Sequence, residues 1–144
     1  EVAIAAGDVD QTSVDAELNA MAEATGKVTR TSDPREAVAG ADFVHTDTWM
    51  NMEFFENGAV KPSAQAEYDR RLEMLKPYQL NAELINTVAP QAKIMHCMPC
   101  HVGYEISRDA IDHPNAVIFD QAENRMHMQK AILVWLLEQE HLVK

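Results

Sequence analysis

Short apolar runs alternate with longer stretches of helical spacing from one end of this chain to the other. Val2–Ala5, Val28–Thr31, residues 41–46, Lys93–His96 and residues 116–119 each have the length of a buried strand. Between the first two, Thr12 and Ser13 can cap a helix whose face carries Val14, Leu18, Met21 and Ala22, and Gly26 stands where a helix stops. Asp33, Pro34, Arg35 and Glu36 make a second start signal: a capping carboxylate, a proline in the first turn, and Glu three residues after the cap. Tyr68, Leu72 and Leu75 mark a third helix ending at Pro77. A short helix is expected over residues 82–87, and another is capped by Ser107. A long helix from about Gln121 closes the chain, with Ala122, Met126, Gln129, Leu133, Leu136 and Leu137 on one stripe. Strands that alternate with helices pair in parallel and are covered on both faces. The expected class is α/β, with five parallel strands.

Bulk properties narrow the function. At 144 residues the chain suits one domain and can bury roughly two-thirds of its unfolded surface. Hydrophobic residues at 47% and charged residues at 24% describe an ordinary globular protein. A net charge of −11 argues against nucleic acid or an anionic membrane as partner, since both demand a basic face. No apolar run approaches the ~20 residues of a membrane span. The opening Glu1-Val2-Ala3 lacks an initiator Met and begins directly on a strand, so truncation at the N-terminus is expected. The two cysteines, Cys97 and Cys100, are too close to staple a fold, and a cytoplasmic setting is the simpler expectation.

Ligands of parallel α/β sheets bind outside the carboxyl ends of the strands. Three polar clusters follow strand ends here: Asp47-Thr48-Trp49, the turn beginning at Cys97, and Asp120 to Arg125. Asp47 at a sheet rim can accept from an amine or help withdraw its proton, or it can simply cap a turn. Cys97 beside His96 can gain thiolate character, or serve as a small buried hydrophobe. Arg125, placed near the start of the last helix, opposes the helix dipole, so an anion or a carbonyl oxygen is a reason for it; a solvated ion pair with Glu123 or Asp120 is the other. Residues 47 to about 63 contain Gly58 and Pro62 with little apolar period, and are expected to form a long loop.

Cys97-Met98-Pro99-Cys100-His101 also fits a different class of function. Its Cys-x-x-Cys-His spacing matches c-type haem attachment, a redox dithiol or part of a metal site. Adjacent strand residues face opposite ways, so His96, Cys97, Cys100 and His101 do not easily surround one zinc ion, and no metal is expected.

Three segments in order resemble one family: Thr46-Asp47-Thr48-Trp49-Met50-Asn51-Met52, His96-Cys97-Met98-Pro99, and Phe119-Asp120-Gln121-Ala122-Glu123-Asn124-Arg125. Together they are similar to the C-terminal, amino-acid-binding half of the ornithine carbamoyltransferases, within the aspartate/ornithine carbamoyltransferase family. The resemblance covers essentially residues 1–144 and implies a Rossmann-like domain from a two-domain enzyme. It implies transfer of the carbamoyl group of carbamoyl phosphate to an amine, ornithine or a relative such as putrescine, with no cofactor, in arginine metabolism, by a homotrimer. By resemblance, Asp47 and Cys97 lie against the acceptor amine, and Asn51 and Met52 close over its amino-acid end. Cys97 and Met98 offer backbone contacts to the carbamoyl nitrogen, and Arg125 polarises the carbamoyl carbonyl. The family's closing loop usually reads Ser-Met-Gly, whereas this chain has Asn51-Met52-Glu53. The family's carbamoyl-phosphate domain, and the first strand and Gly-containing turn of the present one, have no counterpart here. Half a site is expected, inactive alone.

Overall fold

The computed structural model describes residues 1–7 and 15–139. Four strands pair in parallel, as two separate pairs. β1 (Val2–Ala5) lies beside β2 (Val28–Thr31), with Val2 opposite Val28 and Ala5 opposite Thr31. β3 (Phe43–Thr46) lies beside the later strand Lys93–His96, with Phe43 opposite Lys93 and Thr46 opposite His96.

Helices connect them where the start signals stand. α1 (Ala16–Ala24) is capped by Asp15, whose Oδ1 accepts the Glu17 and Leu18 N–H groups at 3.0 Å each. The expected caps Thr12 and Ser13 lie outside the described residues, as does Val14. α1 ends at Gly26, whose φ of +65° suits glycine and turns the chain towards β2. α2 (Pro34–Val38) starts on Asp33, with Pro34 in its first turn.

The expected loop after β3 is partly built. A 3-10 turn, Met52–Phe54, leads into a tight antiparallel hairpin of β4 (Phe55–Glu56) and β5 (Ala59–Val60). Its two-residue turn is Asn57-Gly58, with φ of +52° and +80°, the left-handed pair that matches strand twist. α3 (Gln65–Leu75) and α4 (Ala82–Val88) follow, the latter capped by Asn81, which accepts from Leu84 N–H at 2.8 Å. Next come β6 (Lys93–His96) and α5 (Arg108–Ile111), whose cap is Ser107.

The fifth expected strand is not formed. Residues 116–119 contribute one parallel bridge, Ile94 to Ala116, and the last helix, α6 (Ile118–Gln139), starts there. Short apolar runs fit a strand or a buried helix turn equally, and here Ile118 is buried while Phe119 faces solvent. The helix therefore begins three residues before Gln121.

The core packs β3 and β6 against α2, α4 and α5 through residues such as Val44, Leu84, Ile85, Ile94, Ile106 and Ile118. β1, β2 and α1 contribute no fully buried residue. The free edges of β1 and β3 face a common gap. Its carboxyl end is a cavity of about 390 Å³ lined by Ala5, Gly7, Thr46 and Asp47 among others. Its other end is an open groove of about 1110 Å³ that includes Glu1, Val2, Asp42 and Phe43. Like ends share each cavity, so β1 and β3 run in the same direction across the gap.

Candidate active site

Asp47 follows the last residue of β3, and Cys97 follows the last residue of β6. Parallel register puts Thr46 opposite His96, so the two side chains emerge together at the carboxyl edge. Cys97 Sγ donates to Asp47 Oδ1 at 2.9 Å, and Thr48 N–H donates to the same oxygen at 2.7 Å. The thiol bond is the first cause holding the Asp47 carboxyl below its ordinary value; the nearby His96 and His45 rings also favour the anion, and partial burial opposes them.

Of the two readings of Cys97, the effect runs against thiolate character. Partial burial first, then its bond to Asp47 and that carboxylate's charge, push the thiol above its ordinary value. The positive charge of Arg125 acts the other way and does not overcome them. Burial disfavours the thiolate, and the nearest charged partner of the sulfur is an anion. His96 Nδ1 is engaged elsewhere, accepting the Met98 N–H at 2.9 Å. Cys100 is likewise a free thiol. Among the described residues, no three His, Cys, Asp or Glu side chains group as ligands for a metal ion.

Arg125 is exposed on α6, and its field reaches Cys97. Because α6 starts at Ile118, Arg125 stands about two turns inside the helix, away from the N–H groups of its first turn. The reading that paired this guanidinium with helix N–H groups is thereby corrected. Asn51 and Met52 stand at the start of the 3-10 turn, both exposed, Met52 at 80%, with Asn51 Nδ2 donating to Glu53 Oε1 at 3.2 Å. Met98 takes φ of +51° and rests on the core, with its N–H spent on His96. Its carbonyl can only accept.

Gln121, Glu105 and His101 take parts in the site that the linear reading did not assign to them. Gln121 Oε1 accepts the His96 backbone N–H at 3.0 Å and fastens α6 to the end of β6. It lies inside the segment Phe119 to Arg125, yet only its side-chain type hinted at this. Glu105 and His101 lie beneath the Cys97 turn, and Thr48 Oγ1 is 3.1 Å from His101 Nδ1. The contact spans 53 positions, beyond any local pattern.

The matching family model decides the relationship. It is the Asp/Orn-binding domain of the aspartate/ornithine carbamoyltransferases, and it matches residues 3–136. The chain belongs to that family.

Among curated relatives, the chain is 45% identical over 118 residues to the ornithine carbamoyltransferase of Methanothermobacter thermautotrophicus, covering 81% of this chain and 36% of the relative. It is 41% identical over 129 residues to that of Renibacterium salmoninarum, covering 90% and 38%. Among solved structures, the ornithine carbamoyltransferase from Thermus thermophilus aligns with a TM-score of 0.71 at 31% identity, covering 95% of this chain and 39% of that one. The chain thus spans well under half the length of these carbamoyltransferases. Among the described residues, no helix is long and apolar enough to cross a membrane.

Proposed function

We propose that residues 1–144 form the C-terminal, amino-acid-binding domain of a two-domain carbamoyltransferase that moves the carbamoyl group of carbamoyl phosphate to the side-chain amine of ornithine, giving citrulline. The observation that carries this reading is the Cys97–Asp47 hydrogen bond at the carboxyl edge, which joins two of the three family-like segments. An anionic Asp47 and a protonated Cys97 make a polar pair suited to an amine, the carboxylate accepting its N–H groups. Held protonated, Cys97 is a contact and orienting group here, not a nucleophile. A neutral amine attacks the carbamoyl carbon and a tetrahedral intermediate forms. The C–O bond to phosphate then breaks, phosphate departs with the electron pair, and the nitrogen loses its proton. Charge builds on the carbamoyl oxygen, where the Arg125 guanidinium supplies the stabilising cation. The carbonyls of Cys97 and Met98 are acceptors for the carbamoyl NH2. Asn51 and Met52 close over the acceptor's amino-acid end.

Carbamoyl phosphate is held mostly by a partner domain of the same polypeptide, and the complete protein works as a cytoplasmic homotrimer in arginine metabolism. The test is citrulline formation by the full-length protein, with ornithine and putrescine compared as acceptors. Arg125→Gln is expected to lower kcat by roughly 10²–10³-fold, the usual consequence of removing one donor to a developing oxyanion. Full activity in that variant, or no transfer by the wild type to either amine, rejects the reading.

A further inference from the structure

Beneath the Cys97–Met98 turn lies a carboxyl group without exposed surface. Glu105, in the loop between β6 and α5, is 0% exposed, and its Oε1 accepts the His101 backbone N–H and sits 3.3 Å from His96 Nε2. The proton positions follow from the backbone. Met98 N–H can only donate, so His96 Nδ1 accepts, the imidazole proton resides on Nε2, and Nε2 donates to Glu105. One carboxylate oxygen therefore fixes both His96 and the chain at His101, and through His96 it fixes the amide of Met98. The other oxygen, Oε2, is buried with no hydrogen-bond partner, a costly state for a carboxyl group. His101 Nδ1 is 3.9 Å from it and 3.1 Å from Thr48 Oγ1. The His101 ring also stacks on Phe55 of the hairpin, with centroids 5.9 Å apart and planes at 13°.

Resting on the transferase reading above, we propose that Glu105 and His101 are positioning residues that couple the acceptor-binding segment to the turn that meets the carbamoyl group. His101 belongs at once to the Cys97 turn and, through Thr48 and Phe55, to the segment bearing Asn51 and Met52. When that segment closes over the amine, the stacked His101 ring moves with Phe55. Thr48 Oγ1 donates to the Met50 carbonyl at 3.2 Å, so it accepts from His101 Nδ1–H. On closure that N–H leaves Thr48 for Glu105 Oε2, which gains its missing donor and locks the Cys97–Met98 carbonyls in place. The histidine of the Cys-x-x-Cys-His pattern thereby acts as a mechanical link.

The test uses the full-length protein. Glu105→Gln keeps an acceptor oxygen for His96 and His101 N–H but puts an NH2 where Oε2 stood, which cannot accept from His101. His101→Phe keeps the ring stack on Phe55 and removes Nδ1. Each is expected to lower kcat about tenfold, the equivalent of one buried hydrogen bond to a charged group, with the ornithine KM within about twofold. The double variant should be no slower than either single one, since both remove the same contact. Independent losses that multiply, or unimpaired turnover in either single variant, overturn the proposal while the wild type still makes citrulline. A wild type that transfers nothing overturns the transferase reading instead, and with it this kinetic role. Nitrogen-15 spectra of the imidazoles give a readout independent of turnover. His96 is expected as the Nε2–H tautomer in the wild type and in Glu105→Gln; an Nδ1–H tautomer in the wild type would overturn the arrangement.

Discussion

Asp47 and Cys97 each make the other's protonation state more definite, and this can be read chemically. The thiol is raised by burial and by the carboxylate, so deleting the charge with Asp47→Asn should lower it again. In a Cys100→Ser background, alkylation of Cys97 by iodoacetamide at pH 8 is expected to speed several-fold, because only thiolate reacts and each unit of pKa is about tenfold in its population. An unchanged or slower rate would contradict the assigned pair. The same shifts give a pH window. Asp47 is lowered from 3.8, so its contribution to stability is present above that value and is lost as pH falls through the folded-state pKa. Cys97 is raised from 9.0, so its contribution is present below that value and is lost as pH rises through the folded-state pKa. The urea midpoint of the wild type should therefore fall more steeply than that of an Asp47→Asn, Cys97→Ala double variant on both flanks, below about pH 4 and above about pH 9. Both residues were legible from their place after strand ends. Glu105 was not, because nothing local in Gly103-Tyr104-Glu105-Ile106 distinguishes a solvated Glu from one buried against two histidines.

Element by element, agreement between sequence and structure tracks the strength of local chemistry. α2 and α4 begin where Asp33 and Asn81 supply cap oxygens, and these need no tertiary help to be recognised. The segment after β3 shows the converse. Asn57-Gly58 is a strong hairpin signal, but its flanking strands are two residues each, too short to show alternation. Phe55 and the buried Phe54 secure it instead, through ring contacts with Tyr68 on α3 and an Arg71 guanidinium 4.9 Å over Phe54. Gly58 has φ of +80° and nothing within 4 Å of where a Cβ would stand, so Gly58→Ala costs backbone strain alone. About 1 kcal/mol is expected. The loss should appear as faster amide exchange at Lys61, whose N–H donates to Phe54 across the hairpin base at 2.9 Å, with core strands unaffected. Global destabilisation well beyond that, or no change at Lys61, would show that the turn is not what holds this segment. Residues 116–119 defeated a linear reading for another reason. Their apolar run divides between a single strand-like bridge from Ala116 to Ile94 and the first residues of α6, a change of state inside four residues that periodicity cannot resolve.

At the scale of the whole chain, packing is uneven, and the unevenness predicts behaviour. The Val2 N–H donates to the carbonyl of Lys27, just before β2, and the Ala6 N–H to that of Thr31 at its end, so in a parallel ladder Ala3 and Ala5 aim their polar groups at the gap; Phe43 and His45 do so from β3. Amides of these four residues should exchange much faster than those of Val44 and Thr46, and slow exchange at all four would mean that the gap is filled. α6 carries a second unpaired surface. Ile132, Leu133, Val134, Trp135, Leu136 and Leu137 run unbroken along it, and every one is exposed, Trp135 by 58% and Leu137 by 67%. An unbroken run wraps more than one helix face, so even a helix laid against its own sheet would leave apolar surface uncovered. Burying such side chains is worth about 1.5–3 kcal/mol each, against an association cost on the order of 4–15 kcal/mol. In a contact between two copies both runs are covered, so four residues from each copy contribute about 12–24 kcal/mol if fully buried, of the same order as that cost or above it. Under the proposed function, the 144-residue chain is expected to self-associate in sedimentation and to form no citrulline, and the full-length protein is expected to sediment as a discrete trimer and to turn over. Trp135→Glu with Leu136→Glu should shift the isolated chain towards monomer and leave the Asp47–Cys97 pair intact by the alkylation rate. A monomer at all concentrations with blue-shifted Trp emission would place this run in a core of its own and remove the basis for association. Turnover by the isolated chain would show that the amino-acid-binding half can hold both substrates.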